Sequence, residues 1–224
     1  MVSRALGSLL LLTACFPPPL DETGRRCERG RPCGDGFVCF DGVCSRPEEL
    51  DAGPDNWLPN ASFEQINDAG DPLFWRPLPA SSGGDLTTDT RFVKDGVRSV
   101  RLFSRDGGEQ PGVQQTFAAE LRNTTRGQVW CARAWVRSNS PDGGLAARLW
   151  IRERPADGGA IIGENTPSVV RVDTSWRLLE ESYFAEGADR LDVRVTSNNR
   201  VRRQDQFWVD DVRLKRSVTQ QCTW

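Results

Sequence analysis

Histidine is missing from all 224 residues. Its absence removes Ser-His-Asp and Cys-His catalysis, the commonest ligand of catalytic zinc, and most single-residue proton shuttles near neutral pH. A basic excess is missing too: 29 Lys and Arg face 31 Asp and Glu, a formal net charge of −2. No nucleic-acid partner is therefore expected, because that needs a basic face. No Gly-rich phosphate loop, Gly-x-Ser-x-Gly elbow or histidine metal motif occurs. A glycosidase wants two carboxyls about 5–9.5 Å apart across a cleft, and no acidic pair stands out from surface charge. Asp210 and Asp211 are expected to point to opposite faces of a strand, since they are consecutive. The chain is read as a non-enzyme. What it does hold is seven cysteines and eight tryptophans. The basic residues are nearly all arginine, a bias read as high-GC coding and not as a site.

The chain starts MVSRALGSLLLLTAC. Arg4 supplies a positive n-region, and Ala5 to Leu12 form an apolar core too short to span a bilayer. Leu12-Thr13-Ala14-Cys15 resembles a bacterial lipobox, which implies cleavage after Ala14 and diacylation of Cys15. An ordinary secretory signal with a stray cysteine is the other reading. No later stretch has membrane length, so the expectation is a chain anchored by acyl groups, each buried CH₂ adding roughly 0.8 kcal/mol. Phe16, where an Asp often marks inner-membrane retention, leans towards the outer membrane, on its periplasmic or surface face. Residues 1–14 are then a lipoprotein signal peptide. Residues 15–26 are the lipidated cysteine and a tether that the run Pro17-Pro18-Pro19 biases to polyproline II.

Cys27, Cys33, Cys39 and Cys44 follow in eighteen residues, spaced C-x5-C-x5-C-x4-C among Gly34, Gly36 and Gly42. So short a segment cannot enclose an apolar core, and cross-links must replace it. Two disulfides fit an exported chain. Three pairings exist, with Cys27–Cys39 and Cys33–Cys44 preferred. Four thiolates could instead hold zinc, though zinc sites usually show closer pairs. The segment resembles short EGF-like and Dickkopf-type cysteine-rich modules, which implies spacing, rigidity or docking. Residues 45–55 are acidic, contain Pro and Gly, and read as a linker.

From 56 to 224 the apolar residues alternate. Trp130, Ala132, Ala134 and Val136 share one face, with Cys131, Arg133 and Trp135 on the other. Leu145, Ala147, Leu149 and Ile151 oppose Ala146, Arg148 and Trp150, and Leu191, Val193 and Val195 oppose Asp192 and Arg194. VRSVRLF, PSVVRV, SWRLLEESYF and QFWVDDVRL read alike, and turns such as Pro141-Asp142-Gly143-Gly144 separate the runs. Period-two runs at this spacing predict an all-β, antiparallel jelly-roll sandwich or barrel.

Six motifs occur in order: NWLPNASFE (Asn56–Glu64), FWRP around Trp75, DGVRSVRL (Asp95–Leu102), GQVWCARAWVRS (Gly127–Ser138), TSWRLL (Thr174–Leu179) and FWVDDVRL (Phe207–Leu214). Together they resemble the CenC-type carbohydrate-binding modules, families four, nine and twenty-two, which implies a galactose-binding-like jelly roll that binds polysaccharide. Trp130 stands where the family often has Tyr, and Cys131 is not required by the pattern. The resemblance implies one structural calcium between the first and last strands, held by Glu64 and Asp210 with backbone carbonyls; strand-end carboxylates in solvent are the alternative. Calcium prefers six to eight oxygens.

Sugar rings stack on exposed aromatics beside polar partners. Trp135, between Arg133 and Arg137, and Trp150, between Arg148 and Arg152, fall on the non-core side. They could form one flat platform for a neutral or acidic glycan, or pack under a loop or tail. Trp57, Trp75, Trp176 and Trp208 read as packing. With Cys15 lipidated and four cysteines in the knot, Cys131 and Cys222 remain and are expected to pair, drawing Trp224 over the face of Trp135. The expected function is non-catalytic polysaccharide binding by a lipid-anchored envelope protein. A protein-binding or structural surface lipoprotein is the alternative, and a glycoside-hydrolase-associated activity comes third.

Overall fold

Strand alternation decides which side of each strand is dry, and the buried residues follow it. The computed structural model describes residues 25–27, 31, 33–34, 38–40, 43–45, 56–78, 84–104, 110–118, 125–155, 157–187, 190–198, 202, 204–217, 219 and 221–224. The expected signal peptide, Cys15, the expected tether up to residue 24 and residues 46–55 of the expected linker lie outside them. A small ribbon of β1 (Val38–Phe40) and β2 (Val43–Ser45) belongs to the cysteine-rich segment. The remaining strands are β3 (Arg76–Leu78), β4 (Gly84–Asp89), β5 (Ser99–Ser104), β6 (Gly112–Ala118), β7 (Val129–Ser138), β8 (Leu145–Arg154), β9 (Gly163–Glu164), β10 (Val170–Val172), β11 (Arg177–Phe184), β12 (Arg190–Ser197) and β13 (Gln206–Arg216).

They form two antiparallel sheets. One runs β10-β8-β12-β6-β3 with β9 added at β8; the other runs β11-β7-β13-β5-β4. The architecture is an all-β jelly-roll sandwich with a small N-terminal disulfide-rich segment. Between the sheets lie Trp130, Ala132, Ala134 and Val136 of β7, Leu149 and Ile151 of β8, and Leu191, Val193 and Val195 of β12. Burial of such side chains stabilises by roughly 1.5–3 kcal/mol each for the larger ones. Glu153, inward on β8, joins the layers: it accepts from Tyr183 Oη of β11 at 2.6 Å and from the backbone N–H groups of Glu186 and Gly187 at 2.7 and 2.9 Å. Burial first, and the Glu153 carboxylate second, push the Tyr183 hydroxyl well above its ordinary range.

The first segment of the sandwich is tied to the last strand. Trp57 N–H donates to Leu214 O at 2.7 Å, and Asn56 Oδ1 accepts from Leu214 N at 3.0 Å. Asn60 then turns the chain with φ +50°, a region asparagine tolerates. Its amide accepts from Gln65 N and donates to the carbonyls of Gln65 and Leu73 at 2.8–3.0 Å. Trp57 meets Trp130 edge-on at 5.5 Å, and Trp75 tilts against Phe63 at 4.9 Å.

Cys33 is bonded to Cys44, as preferred, and Cys131 to Cys222. Cys27 is disulfide-bonded as well; the side chain of Cys39 lies outside the described residues. The sulfurs of Cys27, Cys33 and Cys44 sit within 4.8 Å of one another, but cystine sulfur offers zinc no thiolate.

One expectation fails on strand β13. Asp210 pairs with Trp135 and Arg213 with Arg133, so three steps on β13 match two on β7, a β-bulge. Asp211 takes φ +44° there. Its carboxylate accepts from Arg213 Nε at 2.5 Å and lies 3.5 Å from the Arg133 guanidinium, both on the outer face. Asp210 and Asp211 therefore share that face instead of pointing apart, because the inserted residue breaks the alternation.

Candidate functional site

The tryptophans proposed as one platform sit on opposite faces of the sandwich. β7 pairs with β11 and β13, whereas β8 pairs with β10 and β12. The Pro141–Gly144 connection carries the chain across the core from one sheet to the other. Trp135, with Arg133 and Arg137, thus faces outward from one layer, and Trp150, with Arg148 and Arg152, outward from the other. The joint platform is ruled out by this crossover.

Trp135 is half-buried, and its face is partly covered. Lys94 Nζ lies over the Trp135 ring at 4.1 Å, and the Arg133 guanidinium lies 4.8 Å from the Trp224 ring. Lys215 Nζ approaches that same ring at 4.4 Å, so the Cys131–Cys222 bond does draw the tail onto this face. Arg137 stacks on Phe92 at 3.8 Å, with Trp208 and Trp176 at 5.6 and 5.9 Å. Burial lowers the Arg137 pKa from its usual value.

The cover on one side is the loop 90–98 between β4 and β5, and three carboxylates hold it. Asp89 accepts from Arg91 N at 2.8 Å and Arg91 Nη2 at 2.6 Å. Burial pushes the Asp89 carboxyl up, but the Arg91 bonds outweigh it and hold it at about 2. Asp210 Oδ2 accepts from Lys94 N and Asp95 N at 2.7 and 3.1 Å, while its Oδ1 accepts from Asp211 N at 2.8 Å. Glu64 Oε1 accepts from Val97 N and Arg98 N at 2.7 and 2.9 Å, and Oε2 lies 3.6 Å from Arg98 Nη1. Gly96 makes this approach possible: at φ +70°, a Cβ there would meet Glu64 Oε1 at 2.2 Å.

Glu64 and Asp210 are the expected calcium pair, and they do converge on one loop. Their donor set does not fit the ion. The carboxylate oxygens are turned to N–H groups and a guanidinium, positive ends that repel a cation, where calcium needs a shell of oxygens. As arranged, the pair caps a loop. Asp210 is fully buried, and burial pushes its carboxyl up to about 7.

The Trp150 face is built differently. Successive outward positions on β8, β12 and β6 form cross-strand rows. Trp150 lies opposite Arg194, and Arg194 opposite Gln114; Arg152 lies opposite Asp192, and Asp192 opposite Thr116. Trp150 is half-buried and donates Nε1–H to Thr196 Oγ1 at 3.3 Å. Arg152 and Arg148 lie 4.6 and 5.8 Å from its ring centroid. Asp192 clamps the centre, accepting from Thr116 Oγ1 at 2.8 Å, Arg154 Nε at 3.0 Å and Arg194 Nη2 at 3.1 Å. Glu164 of β9 pairs with Arg152 at 2.8 Å. The result is an aromatic surface flanked by fixed donors. Arg154, Asp192 and Arg194 were not among the expected site residues. The outward side of Asp192 and Arg194 was readable in LDVRV, but not that β12 lies beside β8 and Arg154.

No protein-family model matches this chain, and no curated protein does. Solved structures share its fold at low identity. The enzymatically active domain of bacteriophage CBA120 tailspike protein 4 is 15% identical over 72% of this chain and 21% of that chain, with a TM-score of 0.55. TmCBM61 in complex with beta-1,4-galactotriose is 18% identical over 72% of this chain and 99% of that chain, with a TM-score of 0.51. The CBM22-1–GH10 modules of a Clostridium thermocellum xylanase complexed with xylohexaose are 16% identical over 73% of this chain and 29% of that chain, with a TM-score of 0.51. The chain spans about a fifth of the tailspike domain and under a third of the xylanase modules. What is shared is the jelly roll of carbohydrate-binding modules.

Proposed function

We propose that this chain binds polysaccharide without catalysis, on the outer face of the sheet that contains β8, β12 and β6. The observation that carries the reading is Trp150, half-buried among Arg148, Arg152 and Arg194, with Gln114, Thr116 and Thr196 on neighbouring strands. A pyranose has an apolar face for an indole and hydroxyls for fixed donors beside it. Complexes of similarly folded chains with galactotriose and xylohexaose support the class of ligand. The reading extends to location: Cys15 carries lipid, and the proline tether and disulfide segment hold the sandwich away from an envelope membrane, the outer membrane by the residue after Cys15.

The test is a glycan array probed with the wild type, Trp150→Ala and Trp135→Ala. Trp150→Ala should lose at least about tenfold in affinity, roughly 1.4 kcal/mol, while Trp135→Ala should keep its glycans. Loss in Trp135→Ala alone would move the site to the other sheet. Folded wild type that binds no glycan would turn the reading to a protein-binding or structural surface lipoprotein.

A further inference from the structure

The charge on the Trp150 face is far from that of the whole chain. Among the described residues, seven outward arginines from β3, β8, β10 and β12 stand on it against two carboxylates, Asp192 and Glu164, in a protein whose formal net charge is −2. Both acids are already engaged, Asp192 by Arg154 and Arg194 and Glu164 by Arg152. Arg148, Arg171 and Arg190 have no acidic partner among the described residues. The Nε atoms of Arg148, Arg190 and Arg194 are buried without a hydrogen-bond partner. Desolvation lowers the Arg194 pKa, Asp192 opposes this, and Arg152 and Arg154 then lower it further. Guanidinium groups stay charged under almost any condition, so this crowding is not relieved by losing protons. It is relieved by anions, and the bidentate geometry of arginine suits carboxylate or sulfate.

We propose that the ligand is an acidic polysaccharide, one whose repeating sugars carry carboxylate or sulfate groups, with a ring against Trp150 and its anionic groups on Arg148, Arg190 and their neighbours. It rests on the sugar-binding function proposed above. A neutral glycan would leave the arginines uncompensated, whereas an acidic one brings carboxylate or sulfate groups to them.

Binding of the full chain is measured by affinity electrophoresis and calorimetry. The acidic probes are polygalacturonate, alginate and dextran sulfate; the neutral ones are dextran, xylan and beta-1,4-galactan. Duplex DNA and phosphatidylglycerol vesicles are the non-sugar polyanions. At least one acidic polysaccharide should bind about tenfold or more tightly than every neutral one, and more weakly as salt rises. The double variant Arg148→Gln, Arg190→Gln should lose at least about tenfold with its melting temperature unchanged, and Trp150→Ala a similar amount. Arg202→Gln with Arg216→Gln removes equal charge elsewhere and should lose little. Tight binding to neutral glycans alone overturns the acidic ligand and leaves the sugar-binding function standing. Binding to no polysaccharide overturns both. Equal binding to DNA or vesicles, insensitive to Trp150→Ala, overturns both in favour of plain polyanion attraction.

Discussion

Replacing Cys131 and Cys222 together by alanine should lower the melting temperature by roughly 10–15 °C. The bond spans 91 residues, with its Cα atoms 5.5 Å apart. On the chain-entropy model, a loop of that length removes enough freedom from the unfolded chain to contribute about 4–5 kcal/mol. In a domain of this size each kcal/mol moves the midpoint by about 2–4 °C. A second effect adds to the first. The tail beyond β13 is held by Ser217 N–H to Val129 O at 2.8 Å and by contacts of Trp224 with Arg133 and Lys215. Without the bond these surface contacts must order the tail alone. Alanine is the right replacement because Cys131 is fully buried, where a serine hydroxyl would add a desolvation penalty. Thermal melts of wild type, the double variant and Trp224→Ala separate the two effects. A double-variant shift no larger than that of Trp224→Ala would mean that the cross-link acts only by docking the tail.

That bond was legible from the sequence by arithmetic on cysteines, and the dry faces of β7, β8 and β12 were legible from strict alternation. Other parts were hidden for physical reasons. Strand β6 carries Gln115 inward, where its amide donates to Pro59 O at 3.1 Å; a polar residue at a core position erases the period-two signal. Strand β4 reads GDLTTD, too polar to stand out. The crossover after β7 uses the same Pro, Asp and Gly that a hairpin would use, so the outward side of Trp135 and Trp150 was readable but the sheet each joined was not. The bulge at Asp210–Arg213 inserts a residue that no alternation count can see.

Removing the Asp210 carboxylate should free the loop that covers Trp135. Asp210→Ala leaves the N–H groups of Lys94, Asp95 and Asp211 without their acceptor. Unmet donors cost up to about 1–3 kcal/mol each, most for the buried Asp211 N–H and less for the part-buried pair, and relief of a buried charge offsets some of this, so a net loss of roughly 2–3 kcal/mol is expected. Lys94 should leave the Trp135 ring and Phe92 the Trp208 ring, giving a red-shifted tryptophan emission in the folded protein. Asp210→Asn should recover part of the loss, because an amide oxygen can still accept from Lys94 and Asp95. The gap between wild type and Asp210→Asn should depend on pH. The folded carboxyl holds its proton up to about pH 7, and an unfolded one only to about 4. The folded state therefore binds the extra proton between these values, and wild type should gain stability on the variant as pH falls from 7 towards 4. Calcium distinguishes the loop cap from the ion site that family resemblance implies. Capping predicts melts of wild type that are the same in calcium and in chelator. A rise of several degrees on adding calcium, absent in Asp210→Ala, would show that these carboxylates exchange their N–H donors for the ion.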